Sequence, residues 1–297
     1  MRRILIIADD LTGAAEIAGI AAEHGLSARV QFDEFSGGSA AALAVDTDTR
    51  SLSAQDAAAR LREIFSGIGP TQFDLIFKKT DSVLRGPVAA EIEAIMEIVG
   101  LRQCILVPQN PSRGRVIENG EYRVNGIALN LTTFAADPEH PAGTADVQKL
   151  IGGGAQYRPR GEPPAPKGIS IGEGTSAGDI RYWASCVDRS ILPAGGADFF
   201  TAILRAGALG PKHSKMVAKE RGKTLVVFGS ASASSREFVA GIGKPICAMP
   251  SAVLIRRRRT GQATGSGIFA GNCKAANLLL SRRMRSTLHR GRGMCGK

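Results

Sequence analysis

Short apolar runs alternate with amphipathic stretches along most of the chain. The first apolar run, residues 4–7, has the length and branching of a buried strand. Residues 14–24 follow it with the composition of a helix. A strand that ends in polar residues and turns into a helix is where open α/β sheets place their ligands.

The same order of strand and helix continues further along the chain. Further strands are predicted at residues 28–32, 41–45, 73–77, 104–107, 169–171, 190–192 and 224–228. Further helices are predicted at residues 54–65, 88–99, 145–151, 179–187 and 197–206. This alternation predicts an α/β fold built on a doubly wound parallel sheet.

Two stretches interrupt that order. Residues 108–143 carry the turn signals Asn119-Gly120 and Asn125-Gly126, which predict a β-hairpin excursion. Residues 152–167 are rich in Gly and Pro and are predicted to be a loop. A short turn is also predicted at residues 193–196. A domain boundary is expected within the polar connector 207–223.

Charge is distributed unevenly along the 297 residues. The chain has 38 Lys and Arg against 27 Asp and Glu, a net charge of +11. Eleven of the basic residues lie in 251–297, which has no acidic residue, so the rest of the chain is neutral. The body therefore gives no electrostatic reason to expect nucleic acid as a partner, and only the basic tail could bind it.

Other classes of protein are disfavoured by simple counts. No apolar run approaches the roughly 18 residues of a membrane span, and the first apolar run is too short for a signal peptide, so we expect a cytoplasmic protein without membrane contact. The five cysteines are scattered without a CxxC pair, and the four histidines lack ligand spacing. Neither a disulfide framework nor a metal site is expected.

Two adjacent carboxylates, Asp9 and Asp10, follow the first predicted strand, and Thr12 lies just beyond them. Either Asp10 or Thr12 alone could simply cap the helix. The pair of acids needs more explanation, because neighbouring negative charges repel each other unless solvent, metal or substrate separates them.

A second polar segment, residues 78–86, lies between a predicted strand and the helix 88–99. It contains Lys79, Asp81, Ser82, Arg85 and Gly86. Arg binds carboxylates and phosphates with two parallel hydrogen bonds, and glycine allows close approach of the backbone. A solvated loop is the simpler reading of this segment, but both polar segments follow strands of one predicted sheet, which favours a shared pocket.

Four segments together resemble the four-carbon acid sugar kinases. They are IADDLTGAAE from residue 7, DTDTR from residue 46, FKKTDSVLRGPV from residue 77 and LVPQNPSRGRVIENGEYRVNG from residue 106. The resemblance covers roughly residues 1–250, in the family's order. The family is also labelled Hrp-dependent type III effector.

The resemblance implies an ATP- and Mg²⁺-dependent kinase that phosphorylates a hydroxyl of a sugar acid such as threonate or erythronate. It implies a sugar-acid-binding domain over 1–210, with Asp9, Asp10 and Asp81 as the catalytic residues, one of which would accept the proton of the attacking hydroxyl. Substrate would be bound by Thr12, Lys79, Ser82, Arg85 and Gly86. It also implies the start of a nucleotide-binding domain over 211–254, where Gly229, Ser230 and Ser232 would contact ATP.

The resemblance stops after residue 254, and the nucleotide-binding domain is expected to be incomplete. Residues 255–297 are rich in Arg, Gly and Ser, and we expect them to be disordered or out of frame through a shifted reading frame and early stop. The alternatives are a tail that binds nucleic acid and a divergent tail. The alternative function is a catalytically inactive remnant that binds a sugar acid but lacks a complete ATP site.

Rival enzyme classes lack required residues. A haloacid-dehalogenase-type phosphatase needs an Asp where Ala8 stands, and a P-loop NTPase needs a Gly where Val217 stands. The sequence leaves open which four-carbon acid is used, which hydroxyl is phosphorylated and the oligomeric state.

Overall fold

A computed structural model describes residues 3–69 and 71–210, together with residues 237, 238, 240 and 241. The chain divides into two compact units, Met1–Val217 and Ala218–Lys297, and the description below concerns the first. The predicted strand 224–228, the predicted nucleotide contacts Gly229, Ser230 and Ser232, and the basic tail lie outside the described residues, as does the rest of the predicted nucleotide-binding segment 211–254 apart from residues 237, 238, 240 and 241.

An eight-stranded sheet forms the centre of this unit. Its strands are β1 (Ile4–Ala8), β2 (Ala28–Phe32), β3 (Ala42–Asp46), β4 (Leu75–Lys79), β5 (Gln103–Val107), β9 (Gln156–Arg158), β10 (Gly168–Gly172) and β11 (Ile191–Gly195). Their order is β2-β3-β1-β4-β11-β5-β10-β9, and every neighbouring pair is parallel. The parallel sheet predicted from the sequence is confirmed.

Helices cover both faces of the sheet. They are α1 (Leu11–Glu23), α2 (Ala54–Ile64), α3 (Val88–Val99), α4 (Val147–Ile151), α5 (Ala177–Ser185) and α6 (Ala197–Ala206). One core layer contains apolar side chains of α2, α3 and α4, and the other contains those of α1, α5 and α6. Strands buried on both faces are nearly continuous apolar runs, which is why β1 and β3 could be predicted from composition.

A small antiparallel sheet confirms the predicted hairpin excursion. It consists of β6 (Arg115–Glu118), β7 (Glu121–Val124) and β8 (Ile127–Ala128). Asn119, Gly120, Asn125 and Gly126 all have positive φ angles, between 50° and 81°. Positive φ at both central residues is the requirement of a type I′ turn, so the Asn-Gly pairs direct both reversals.

The clearest differences between the predicted elements and the structure concern β4, β11 and β9. Strand β4 ends at Lys79 rather than at residue 77, because its backbone pairs with β1 and β11 to that point. Strand β11 likewise extends through Gly195, in a segment predicted as a turn. The predicted loop 152–167 contains β9, which pairs with β10 at the sheet edge and has no apolar periodicity of its own.

Among the described residues, no helix has both the length and the apolar character needed to cross a membrane.

Candidate functional site

The candidate site lies at the carboxyl ends of β1 and β4. These strands are neighbours, with Ala8 opposite Lys79. The chain leaves β1 into α1 on one face of the sheet and leaves β4 towards α3 on the other. Such a reversal opens a crevice at the strand ends, which is the usual ligand position in doubly wound sheets.

The two acids after β1 are held by one arginine. Arg50 follows β3, and its Nε donates to Asp9 Oδ2 and its Nη1 to Asp10 Oδ2, each at 2.7 Å. Asp10 is also the N-cap of α1, because its Oδ1 accepts from the Gly13 backbone N–H at 2.8 Å. The capping role considered for Asp10 is therefore present alongside the contact with Arg50.

Asp81 belongs to the same charged cluster. Its carboxylate makes a bidentate pair with Arg85, at 2.9 and 3.1 Å, and Arg50 Nη1 lies 3.9 Å from Asp81 Oδ1. Burial alone would raise the pKa of Asp81, but the hydrogen bonds and charge of Arg85 and the charge of Arg50 lower this pKa to about 2. The carboxyl group is therefore ionised at neutral pH.

Arg50 connects all three acids that the resemblance places in catalysis, although it was not among the predicted site residues. Burial alone would lower the pKa of Arg50, but the negative charges of Asp9, Asp81 and Asp10 raise this pKa above its usual range. The available signal was the polar segment DTDTR after a strand, at the same sheet edge as Asp9.

The three aspartates differ in solvent exposure and in their hydrogen-bond partners. The side chain of Asp9 is 1% exposed and that of Asp10 is 25% exposed. Asp9 Oδ1 is buried and has no hydrogen-bond partner among the described residues. Both oxygens of Asp10 and of Asp81 accept hydrogen bonds from neighbouring groups. Asp10 is consequently the most accessible acid of the cluster.

Lys79 lies at the other side of the crevice, against α1. Its Nζ donates to the Thr80 carbonyl at 2.9 Å and lies 3.5 Å from Glu16 Oε2. A Cβ on Gly13 would lie 2.7 Å from Asp10 Oδ1 and 3.1 Å from Lys79 Cγ, so a larger residue there would displace the Asp10 carboxylate. Thr12 is exposed in the first turn of α1.

The loop between β4 and α3 is anchored by the small antiparallel sheet. Arg115 donates to the Ser82 hydroxyl, and the Tyr122 hydroxyl donates to the Ser82 carbonyl. Burial raises the pKa of Tyr122 above its usual range. Arg115 and Tyr122 were not predicted as site residues. They contact Ser82 from 33 and 40 positions away in the sequence, so no local sequence pattern indicates these contacts.

Gly86 ends this loop with a φ of 89°, a conformation that side chains other than glycine rarely adopt. A Cβ there would lie 2.9 Å from the carbonyl oxygen of Arg50. The absence of a side chain on Gly86 therefore lets its backbone pack against that of Arg50. This contact joins the loop after β3 to the loop after β4.

A cavity of about 190 Å³ adjoins Arg85. It is lined by Val83, Leu84, Arg85, Gly86, Phe134, His140, Pro141, Ala142 and Leu150. The His140 Nε2 is buried without a hydrogen-bond partner among the described residues, and Arg85 Nη1 donates to Asp137 at 3.1 Å. The volume is below the range of about 300–1,000 Å³ that is typical of small-molecule pockets.

The acids of the crevice do not fit a resident metal ion. Within the described residues, no three His, Cys, Asp or Glu side chains form a cluster that could hold one. Arg50 and Arg85 already neutralise the aspartates that would be candidates.

The fold places the charged cluster at a topological switch point, the position where doubly wound α/β domains usually bind ligands. Residues 4–165 match the family described as the sugar-binding N-terminal domain. The chain belongs to this family, that of the four-carbon acid sugar kinases.

Curated relatives carry the names of three related kinases. The chain is 28% identical to D-threonate kinase of Salmonella typhimurium over 155 residues, which is 50% of this chain and 36% of that protein. It is 29% identical over 157 residues to D-erythronate kinase of Heliobacterium modesticaldum, covering 51% and 36%. It is 26% identical over 260 residues to D-threonate kinase of Bordetella bronchiseptica, covering 80% and 61%. The matched region thus spans between about a third and three fifths of these relatives.

Solved structures share the fold. A domain of unknown function from Bordetella bronchiseptica, crystallised with bound citrate as a domain-swapped dimer, superposes with a TM-score of 0.57 at 26% identity, over 69% of this chain and 56% of that one. A Haemophilus influenzae protein superposes with a TM-score of 0.59 at 18% identity, over 70% and 57%.

Proposed function

We propose that this protein is an ATP-dependent kinase that phosphorylates a hydroxyl of a four-carbon sugar acid of the threonate or erythronate kind. The observation that carries the proposal is the cluster of Asp9, Asp10 and Asp81 around Arg50, at the switch point of a domain whose family is named for sugar binding. Carboxylates and guanidinium groups together suit a ligand that has both hydroxyls and a carboxylate.

The substrate would lie between the aspartates and the cavity beside Arg85. The acids would accept hydrogen bonds from its hydroxyls, and Arg85 and Lys79 would face its carboxylate. Both cations are engaged with protein oxygens, so the carboxylate would compete with Asp137 and Glu16 for them. That competition would favour an anionic ligand over a neutral sugar.

We propose that Asp10 accepts the proton of the attacking hydroxyl. It is the most exposed of the three aspartates, whereas the free oxygen of Asp9 is buried. Phosphoryl transfer requires chiefly positioning and charge neutralisation, so a base held by Arg50 and by the N-terminus of α1 is adequate.

ATP would be the phosphoryl donor, and Mg²⁺ would arrive bound to its phosphates rather than to the described acids. Gly229, Ser230 and Ser232 remain the predicted nucleotide contacts, and residues 1–210 the proposed sugar-acid-binding domain. A cytoplasmic location also remains a prediction of the sequence.

The second candidate function is binding of the sugar acid without turnover, which the loss of family resemblance after residue 254 favours.

The proposal is tested by following ADP release from the full chain with Mg-ATP and D-threonate, D-erythronate or 3-oxo-tetronate. The kinase proposal expects ADP release that depends on one of these acids and that falls at least a hundredfold in the Asp10→Asn variant. Binding of an acid without ADP release would favour the second candidate. Measurable ADP release that is equal with and without acid would contradict the kinase proposal, and the absence of binding of any of these acids would contradict both.

A further inference from the structure

A group of buried polar side chains lies directly behind the site, on the face of the sheet that α3 covers. Lys78 of β4 and Glu91 in the first turn of α3 are both fully buried, and Lys78 Nζ lies 3.0 Å from Glu91 Oε1. The buried Thr49 hydroxyl donates to the same Glu91 carboxylate. Burying two charges is costly even when they are paired, so a core of this kind is weak evidence for a role in stability.

Thr49 connects Glu91 to the site through a short series of contacts. The Thr49 backbone N–H donates to the carbonyl of Asp9 at 3.1 Å. The next residue, Arg50, donates its own backbone N–H to the same carbonyl at 3.3 Å and holds Asp9 and Asp10 with its side chain. Movement of Glu91 would therefore move the segment that carries Arg50.

Lys78 faces the same side of the sheet as Asp9. Ile7 is opposite Lys78 in the sheet register, and side chains two residues apart along a strand share a face. Asp9 Oδ1 and Lys78 Nζ are both buried without a hydrogen bond of good geometry among the described residues. Burial raises the pKa of Glu91, the charge of Lys78 opposes that change, and the charge of Asp9 adds to it, so the three groups act on one another.

We propose that Lys78 and Glu91 are a positioning pair for the sugar-acid site. The pair fixes the end of β1 that carries Asp9 and, through Thr49, the segment that carries Arg50. Neither residue touches the substrate. The inference rests on the proposed function for what the site binds, but the positioning itself is a property of the protein alone.

The decisive variant replaces both charges at once, as Lys78→Met with Glu91→Leu. Apolar residues of similar size in place of a buried ion pair are often neutral for stability, whereas removal of one partner leaves a buried charge unpaired. The matched control is Arg62→Met with Glu97→Leu, an ion pair of 2.7 Å between α2 and α3 whose side chains are 50% and 66% exposed.

Two readouts separate positioning from a purely structural role. The first is the dissociation constant for the sugar acid by calorimetry on the full chain, where we expect a rise of about a hundredfold in the buried double variant and no change in the control. The second is amide hydrogen exchange of residues 47–50 without ligand, where we expect faster exchange in the buried double variant only. The midpoint of denaturant unfolding should stay close to that of the wild type.

A single substitution, Thr49→Val, covers the case in which the double variant does not fold. It removes the hydroxyl that donates to Glu91 and leaves the ion pair intact, so we expect faster exchange at 47–50 and an affinity about tenfold weaker. Wild-type exchange and affinity in Thr49→Val, or in a folded double variant, would overturn the inference. If the wild type binds no sugar acid but exchange still rises in the variants, the proposed function fails and the positioning pair stands.

Discussion

Arg50 is the residue on which the charge balance of the site depends. It contacts Asp9 and Asp10 at 2.7 Å each and lies 3.9 Å from Asp81. Asp9 is almost fully buried, and among the described residues Arg50 is the cation within ion-pair distance of it. Its removal would leave a buried carboxylate without compensation.

We therefore expect Arg50→Ala to lower the free energy of unfolding by about 3–5 kcal/mol, the cost of breaking a buried ion pair from one side. Denaturant unfolding of the purified variant measures this change. The control is Arg62→Ala, which removes an exposed partner of Glu97 and should cost no more than about 1 kcal/mol. Equal effects of the two substitutions would show that the Arg50 cluster is not a buried network.

Asp81 gives the site a defined dependence on pH. Its pKa in the folded protein is about 2, below its ordinary value of 3.8. A carboxyl group whose folded-state pKa is lowered stabilises the protein above the ordinary pKa, and this contribution is lost as the pH falls towards the folded-state value. The relevant window is thus from about pH 4 down to pH 2.

The contribution of Asp81 is about 2 kcal/mol at neutral pH. We expect the difference in unfolding free energy between the wild type and Asp81→Asn to be largest above pH 5 and to shrink as the pH approaches 2. Urea unfolding at a series of pH values measures this difference. A difference that stays constant over that range would mean that Asp81 is not held ionised by Arg85 and Arg50.

At the scale of elements, the loops after β3 and β4 meet at Gly86. The positive φ of this residue and its contact with the Arg50 carbonyl are separate constraints on the same backbone. Gly100, which ends α3, has a φ of 69° but open space where a Cβ would be. Substitution of Gly100 therefore tests backbone strain alone, whereas substitution of Gly86 tests strain together with a steric clash.

We expect Gly100→Ala to destabilise the protein by about 1 kcal/mol through strain alone. Gly86→Ala should cost at least about 2 kcal/mol, because the same strain is joined by a clash with backbone that cannot move without displacing Arg50. Thermal or denaturant unfolding of both variants makes the comparison. A smaller cost for Gly86→Ala than for Gly100→Ala would contradict the described loop contact.

The elements that could be predicted from sequence were those with local signals. The apolar run of β1, the Asn-Gly turns of the small sheet and the amphipathic helix α3 each depend on nearby residues, and all three were predicted. The end of β4 at Lys79 and the whole of β9 depend on backbone pairing with distant strands. Such pairing overrides local composition, so Lys78 and Lys79 were placed in a loop.

The same reasoning applies to the site. Asp9, Asp10 and Asp81 could be predicted because each follows a strand, and parallel strands end at one edge. Arg50 contacts acids 40 and 41 positions away, and Thr49 contacts Glu91 across 42 positions. No periodicity marks such contacts, so Arg50 and the buried pair behind the acids emerged only from the structure, whereas Lys79 and Arg85 were predicted with the loop after β4.

At the scale of the whole molecule, the domain that carries the site is net acidic, with 20 Lys and Arg against 25 Asp and Glu in residues 1–210, and the basic excess lies in 211–297. Attraction of an anionic substrate therefore depends on the local arrangement of Arg50, Arg85 and Lys79 rather than on net charge. The central claim is that this arrangement binds a four-carbon sugar acid. Binding to the native state raises stability by mass action, which gives the claim a direct readout.

The measurement is thermal unfolding of the full chain with D-threonate or D-erythronate and, separately, with Mg-ATP. At a hundredfold excess over the dissociation constant, a bound acid should add about 2.7 kcal/mol of stability and raise the unfolding temperature. The shift should be lost in Arg85→Gln and retained in the control Arg62→Gln, whose side chain lies on the exposed surface. No shift with any four-carbon acid, or an equal shift in Arg85→Gln, would contradict the assignment of the site.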